Sequence, residues 1–248
     1  MRALAGAFAA SWLILPGFGL VDLAVTWSSD WPQVLEAGWG LLFTVFVGVP
    51  FVVVAARPRS ATPGIVELFV AAGALLASTF LADEPRLAWL ALAVAVEAAI
   101  VSRVPGREPL ALRGRPAHVS RPLASLAALG LVPWLAYALD MYALNRAERF
   151  DRDITIGIDH YAVQGAAALA VVVLAVLAAM WPQGRRFVGC SVGVVAGYLG
   201  LVSLSWQDAA GGFSRGWSVA ALTWGLAFLA VSLVPAGVRG TSGRRPIL

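Results

Sequence analysis

The chain contains no lysine, a single cysteine and two histidines, and only 13% of its 248 residues are charged. Each scarcity excludes something. Soluble domains carry about 25% charged residues, so a water-soluble enzyme, a disordered tail and a nucleic-acid-binding module are all ruled out. One cysteine, Cys190, forbids an intrachain disulfide and every Cys-based metal or redox motif. It reads as a small buried hydrophobe. Phosphate-binding loops, dinucleotide fingerprints, HExxH and Gly-x-Ser-x-Gly elbows are missing. No facing histidine pair suggests haem. Neither a cofactor nor a bound metal is expected.

What is abundant is apolar: 60% of the residues, with a mean hydropathy of +0.80. Roughly 20 apolar residues cross about 30 Å of hydrocarbon as a helix. Eight segments qualify, at 3–26, 34–56, 64–82, 86–102, 122–144, 160–181, 186–206 and 216–236. The first is too long for a signal-peptide core and lacks a small-residue cleavage site, so it reads as a retained span. The expected fold is an all-α, polytopic transmembrane helical bundle.

The pI near 10 reflects topology rather than nucleic-acid binding. All eighteen basic residues are arginine. With the N-terminus in the cytoplasm, thirteen fall on the inner side and only Arg86, Arg146, Arg149, Arg152 and Arg215 on the outer. This is the positive-inside pattern, and it predicts a multi-pass cell-membrane protein with both termini cytoplasmic. Trp27, Trp31, Trp39, Trp89, Trp206 and Trp217 fall near outer span ends, as an interfacial belt would. The Ala-, Val- and Arg-rich composition without lysine matches a GC-rich bacterial genome.

The chain also repeats itself. Asp22 and Asp140 sit near the outer ends of spans 1 and 5, six and seven residues after Pro16 and Pro133. Acidic residues open spans 2 and 6, at Glu36 and Asp159, and segments 70–78 and 195–203 resemble each other. Four spans per unit gives a 4+4 parallel internal repeat, its halves related by an axis along the membrane normal. The expected units are 1–102, a basic cytoplasmic linker 103–121, 122–238, and a short basic tail 239–248.

Ionisable groups inside a bilayer cost about 2.5–3.5 kcal/mol on insertion scales, so each is a functional candidate. Asp22 and Asp140 lie about 7.5 Å below the outer interface at 1.5 Å per residue, and two-fold symmetry allows both to face one outward cavity. Phe18 and Tyr137 lie one helical turn below them, and Trp39 and Trp134 are further candidate liners. Glu36, Asp159, His160, Tyr161 and Gln164 sit at the mouth. Asp22, Asp140, Asp159 and His160 are the candidate catalytic groups; Phe18, Glu36, Trp39, Trp134, Tyr137, Tyr161 and Gln164 are candidate substrate contacts. One histidine among carboxylates does not by itself make a transition-metal site. Glu67 and Glu97 read as arginine partners near the cytoplasmic side. Gly189, Gly193 and Gly197 form a small-residue stripe for close helix packing, within the chain or between copies in a homo-oligomer.

In layout the chain resembles the small integral-membrane terpene cyclases: about 250 residues, almost all of them in spans, with intramembrane acids and no cofactor motif. No motif is shared, so no catalytic residue is carried over. The resemblance implies acid-initiated chemistry on a lipid or isoprenoid that enters from the membrane lipids, with aromatic faces stabilising cationic intermediates. Two other classes stay open: a proton- or cation-coupled carrier for a small solute, and a non-catalytic assembly subunit.

Overall fold

The computed structural model describes residues 1–103, 119–147 and 154–234. It is all-helical apart from one two-stranded hairpin. The helices are α1 (Arg2–Leu13), α2 (Gly19–Val25), α3 (Gln33–Leu41), α4 (Val49–Ala56), α5 (Thr62–Leu81), α6 (Leu87–Ser102), α7 (Arg121–Arg146), α8 (His160–Met180), α9 (Arg185–Ser205) and α10 (Arg215–Leu233). A π-helical stretch, Leu42–Gly48, joins α3 and α4 into one rod, and strands β1 (Ile154–Thr155) and β2 (Ile158–Asp159) precede α8. Among the described residues, six helices are long and apolar enough to cross a membrane: Gln33–Ala56, α5, α7, α8, α9 and α10.

The other two expected spans are built differently. Segment 3–26 is broken between Leu13 and Gly19. Pro16 removes a helical donor and crowds the preceding turn, and Gly17 packs so close to Trp12 that a Cβ there would sit 2.6 Å from the Trp12 Cα. Phe18 then turns the chain in the left-handed region, at φ 57°, into α2. Pro133, by contrast, lies inside an unbroken α7. Helix α6 has 16 residues, about 24 Å at 1.5 Å per residue, shorter than the hydrocarbon core.

The rod α3–α4, with α5, α8 and α9, forms the centre of the bundle. Nearly every side of α8 is buried, whereas α10 buries only Ser218, Gly225, Phe228 and Ser232. Helix α1 packs along the π-helical stretch and α4, α2 along α3, α6 on α5, α7 on α8, and α10 on α9. Polar bonds tie the outer helices down. Trp12 Nε1 donates to Glu97 at 2.6 Å, Trp224 Nε1 to Leu126 O at 2.8 Å, and Asn145 Nδ2 to Ala82 O at 3.0 Å. Among the described residues, the partner found for Glu97 is this tryptophan and not the expected arginine.

The glycine stripe faces inward. A Cβ on Gly193 would stand 2.8 Å from both Gly225 O and Leu229 Cβ, and Gly189 abuts Ser232, so α10 occupies this face. Of the tryptophans expected in the belt, Trp27, Trp31, Trp89 and Trp217 are exposed, whereas Trp39 is fully buried. Most of the expected linker (104–118) and the tail lie outside the described residues.

Candidate functional site

Two settings hold most of the residues singled out from the sequence. The first gathers Asp22, Glu36 and His160. One ligand-capable atom from each lies within 4.8 Å of the others, and all three side chains are buried. Each comes from the first turn of a different helix. The left-handed turn at Phe18 starts α2 four residues before Asp22; Glu36 opens α3; His160 is the first residue of α8. Acidic residues in a first turn also suit the helix dipole.

The imidazole is held on two sides. Its Nε2 lies 2.9 Å from Thr155 Oγ1 on β1, and the Trp39 ring stacks on it at a centroid distance of 4.7 Å. Trp39 is itself fixed, its Nε1 donating to Gly17 O at 2.8 Å. The hairpin that presents Thr155 turns through Ile156 and Gly157, both at positive φ (50° and 82°), the combination a tight type I′ turn needs. Asp159 serves as the N-cap of α8, its Oδ1 accepting from Tyr161 N at 3.0 Å. A cap accounts for Asp159 without catalysis.

The second setting is a cavity of about 470 Å³ between α7 and α10. Trp134, Tyr137, Phe213, Trp217 and Trp224 line it, and Asp140 is its one carboxylate. The rings brace one another: Trp134 meets Tyr137, Phe213 and Trp224 at centroid distances of 6.0, 5.8 and 6.0 Å. Tyr137 OH donates to Gly211 O at 2.6 Å, and Gln164 Nε2 donates to both Tyr137 OH and Gly211 O. These bonds pin the loop after α9 as one wall, with Gly211 at φ 73°.

Asp22 and Asp140 thus occupy different settings: no residue of α2 lines the cavity, and Asp140 is outside the Asp22 group. Of the expected substrate contacts, Trp134 and Tyr137 line the cavity, Gln164 braces it, and Glu36 and Trp39 belong to the first setting. Phe18 and Tyr161 neither line the α7–α10 cavity nor belong to the Asp22 group. Thr155, Phe213, Trp217 and Trp224 were not anticipated. The signal the sequence carries is spacing: Phe213, Trp217 and Trp224 recur at intervals of four and seven residues, the spacing of one helix face.

Glu67 stands apart. It is fully buried in α5, with the Ser191 side chain beside it as a hydrogen-bonding neighbour. The arginine partner expected for it is not found among the described residues. No protein family, curated protein or solved structure matches the chain.

Proposed function

We propose that the chain is an integral-membrane enzyme acting on an isoprenoid-type lipid held in the α7–α10 cavity, with Asp140 as its acid. The observation that carries this reading is the combination of five aromatic side chains and one carboxylate in a cavity of about 470 Å³. Ligand pockets fall in the range of about 300–1,000 Å³ and are mostly apolar, with few polar groups. Helix α10 exposes most of its surface, so an apolar substrate can enter from the bilayer. In the proposed step the Asp140 carboxyl gives its proton to a substrate double bond. A carbon–carbon bond forms from a second double bond to the resulting cation, and loss of a neighbouring proton returns the carboxyl to its starting state. The rings stabilise the cation through their π faces. The layout shared with small membrane terpene cyclases points the same way.

The same proposal includes eight crossings in a 4+4 repeat with both termini cytoplasmic. The broken α1–α2 pair supplies the first crossing and α6 the fourth. The pattern of neighbours supports it. Helix α5 packs on α8 as the rod α3–α4 packs on α9, and the α5–α6 pair mirrors α9–α10. A two-fold relation between halves requires these pairings together.

Expression with supplied isoprenoid precursors and mass spectrometry of lipid extracts tests the enzyme. A product made by wild type and lost in Asp140→Asn is expected. Identical profiles at matched expression would overturn it. A second reading, a cation- or proton-coupled carrier, is favoured by buried Glu67 and the Asp22 group in the central helices. It predicts that Glu67→Gln alters vesicle uptake while lipid profiles stay unchanged.

A further inference from the structure

We propose that Asp22, Glu36 and His160 form a binding site for a divalent first-row transition ion, at the end of the bundle where α2, α3 and α8 begin. The site is independent of the aromatic cavity, to which none of the three residues contributes. Geometry is the first argument. Donors on one ion at about 2.0–2.2 Å are no more than about 4.4 Å apart. Three donors sharing one ion stand about 3–3.8 Å apart, and the three candidate atoms already lie within 4.8 Å of one another, so about an ångström of adjustment in each side chain completes the set. The donors come from three different helices, which helical periodicity alone does not bring together.

Chemistry is the second argument. Carboxylate oxygens favour hard ions and imidazole favours zinc, iron and nickel; a mixed set of two oxygens and one nitrogen suits Mn²⁺, Fe²⁺ or Zn²⁺. Two carboxylates this close in a buried setting repel each other. A dication between them converts that repulsion into attraction.

The surroundings of the histidine are the third argument. Metal-bound imidazoles are oriented by a partner on the other ring nitrogen. Here Thr155 Oγ1 lies 2.9 Å from Nε2, and the ring is stacked against Trp39. A threonine hydroxyl that accepts from Nε2–H selects the tautomer whose lone pair is on Nδ1. Three protein donors leave coordination positions for water or a further ligand, as in catalytic rather than structural sites.

The test uses the full chain purified in detergent, stripped with chelator, and dialysed against Co²⁺, Mn²⁺ or Zn²⁺. Bound metal per chain, the visible absorption of Co²⁺ and the thermal midpoint are read. One ion per chain is expected, with a midpoint raised by the ion. Glu36→Gln, Asp22→Asn and His160→Gln should each weaken binding at least tenfold and abolish the thermal shift. Thr155→Val should weaken it by about tenfold, while Asp140→Asn binds as wild type does. Folded wild type that takes up no ion, or variants that take up as much, would overturn the proposal. If one variant fails to fold, the other two and the wild-type stoichiometry still decide.

Discussion

At the scale of single residues, buried polar groups divide into those with a clear structural duty and those without. Tyr137 belongs to the first kind: its hydroxyl donates to Gly211 O and accepts from Gln164 Nε2. Tyr137→Phe removes a donor and an acceptor at once and leaves two buried partners short of a bond. Such losses cost about 1–3 kcal/mol, so a measurable fall in thermal midpoint is expected, together with faster proteolysis of the 209–214 loop. Glu67 belongs to the second kind. An ionised carboxylate is heavily penalised in such a place, and the Ser191 side chain is a neutral neighbour that offers it no counter-charge. Glu67→Gln keeps the shape and removes the ionisable group, so it should unfold at no lower temperature than wild type. A drop of several degrees would mean that the carboxyl holds the fold through a contact the amide does not replace.

At the scale of elements, α9 and α10 are held by backbone proximity. The stripe makes an internal distinction that can be measured. A methyl on Gly193 runs into Gly225 O and Leu229, whereas one on Gly197 meets no heavy atom within 4 Å. Gly193→Ala should therefore cost about 1–3 kcal/mol, as overpacking does, while Gly197→Ala should be neutral or slightly stabilising. Equal effects at both sites in denaturant titration would refute this account of the packing. The stripe itself was readable from the sequence because its period of four residues is that of a helix face. Which face it met was not, since that depends on α10 across a turn. The same limit explains Trp39. Its place near a span end suggested an interfacial ring, but the break at Pro16-Gly17 folds α2 back and buries it against His160. The long runs behind α5, α7, α8, α9 and the α3–α4 rod were legible from apolar length alone. The grouping of Asp22 with Glu36 and His160 was not, because residues 14 and 124 positions apart meet only through helix packing.

At the scale of the whole molecule, the question is whether the chain crosses eight times or fewer. Six helices have the length and apolarity to cross without help, and two crossings rest on α6 and on the α1–α2 pair. If α6 did not cross, everything from residue 103 to the start of α7 would lie on the opposite side, and the two halves could not be parallel. Single cysteines introduced after Cys190→Ser separate the cases. Eight crossings put Ser60, Val119 and Gln183 on the cytoplasmic side and Ser29, Pro85 and Gln207 on the other. A membrane-impermeant thiol reagent added to intact cells should then label only the second set. Labelling of Val119 from outside would remove α6 as a crossing. Reversal at Ser29 would show that the α1–α2 pair enters and leaves by the same face. Either result would break the two-fold relation and, with it, the equivalence of Asp22 and Asp140. The distinct settings of these two carboxylates, one in a buried three-residue group and one in an aromatic cavity, would then belong to two unrelated positions rather than to divergence within a repeat. If all six positions label as expected, the two halves share an orientation, and each has put the same acidic position to a different chemical use.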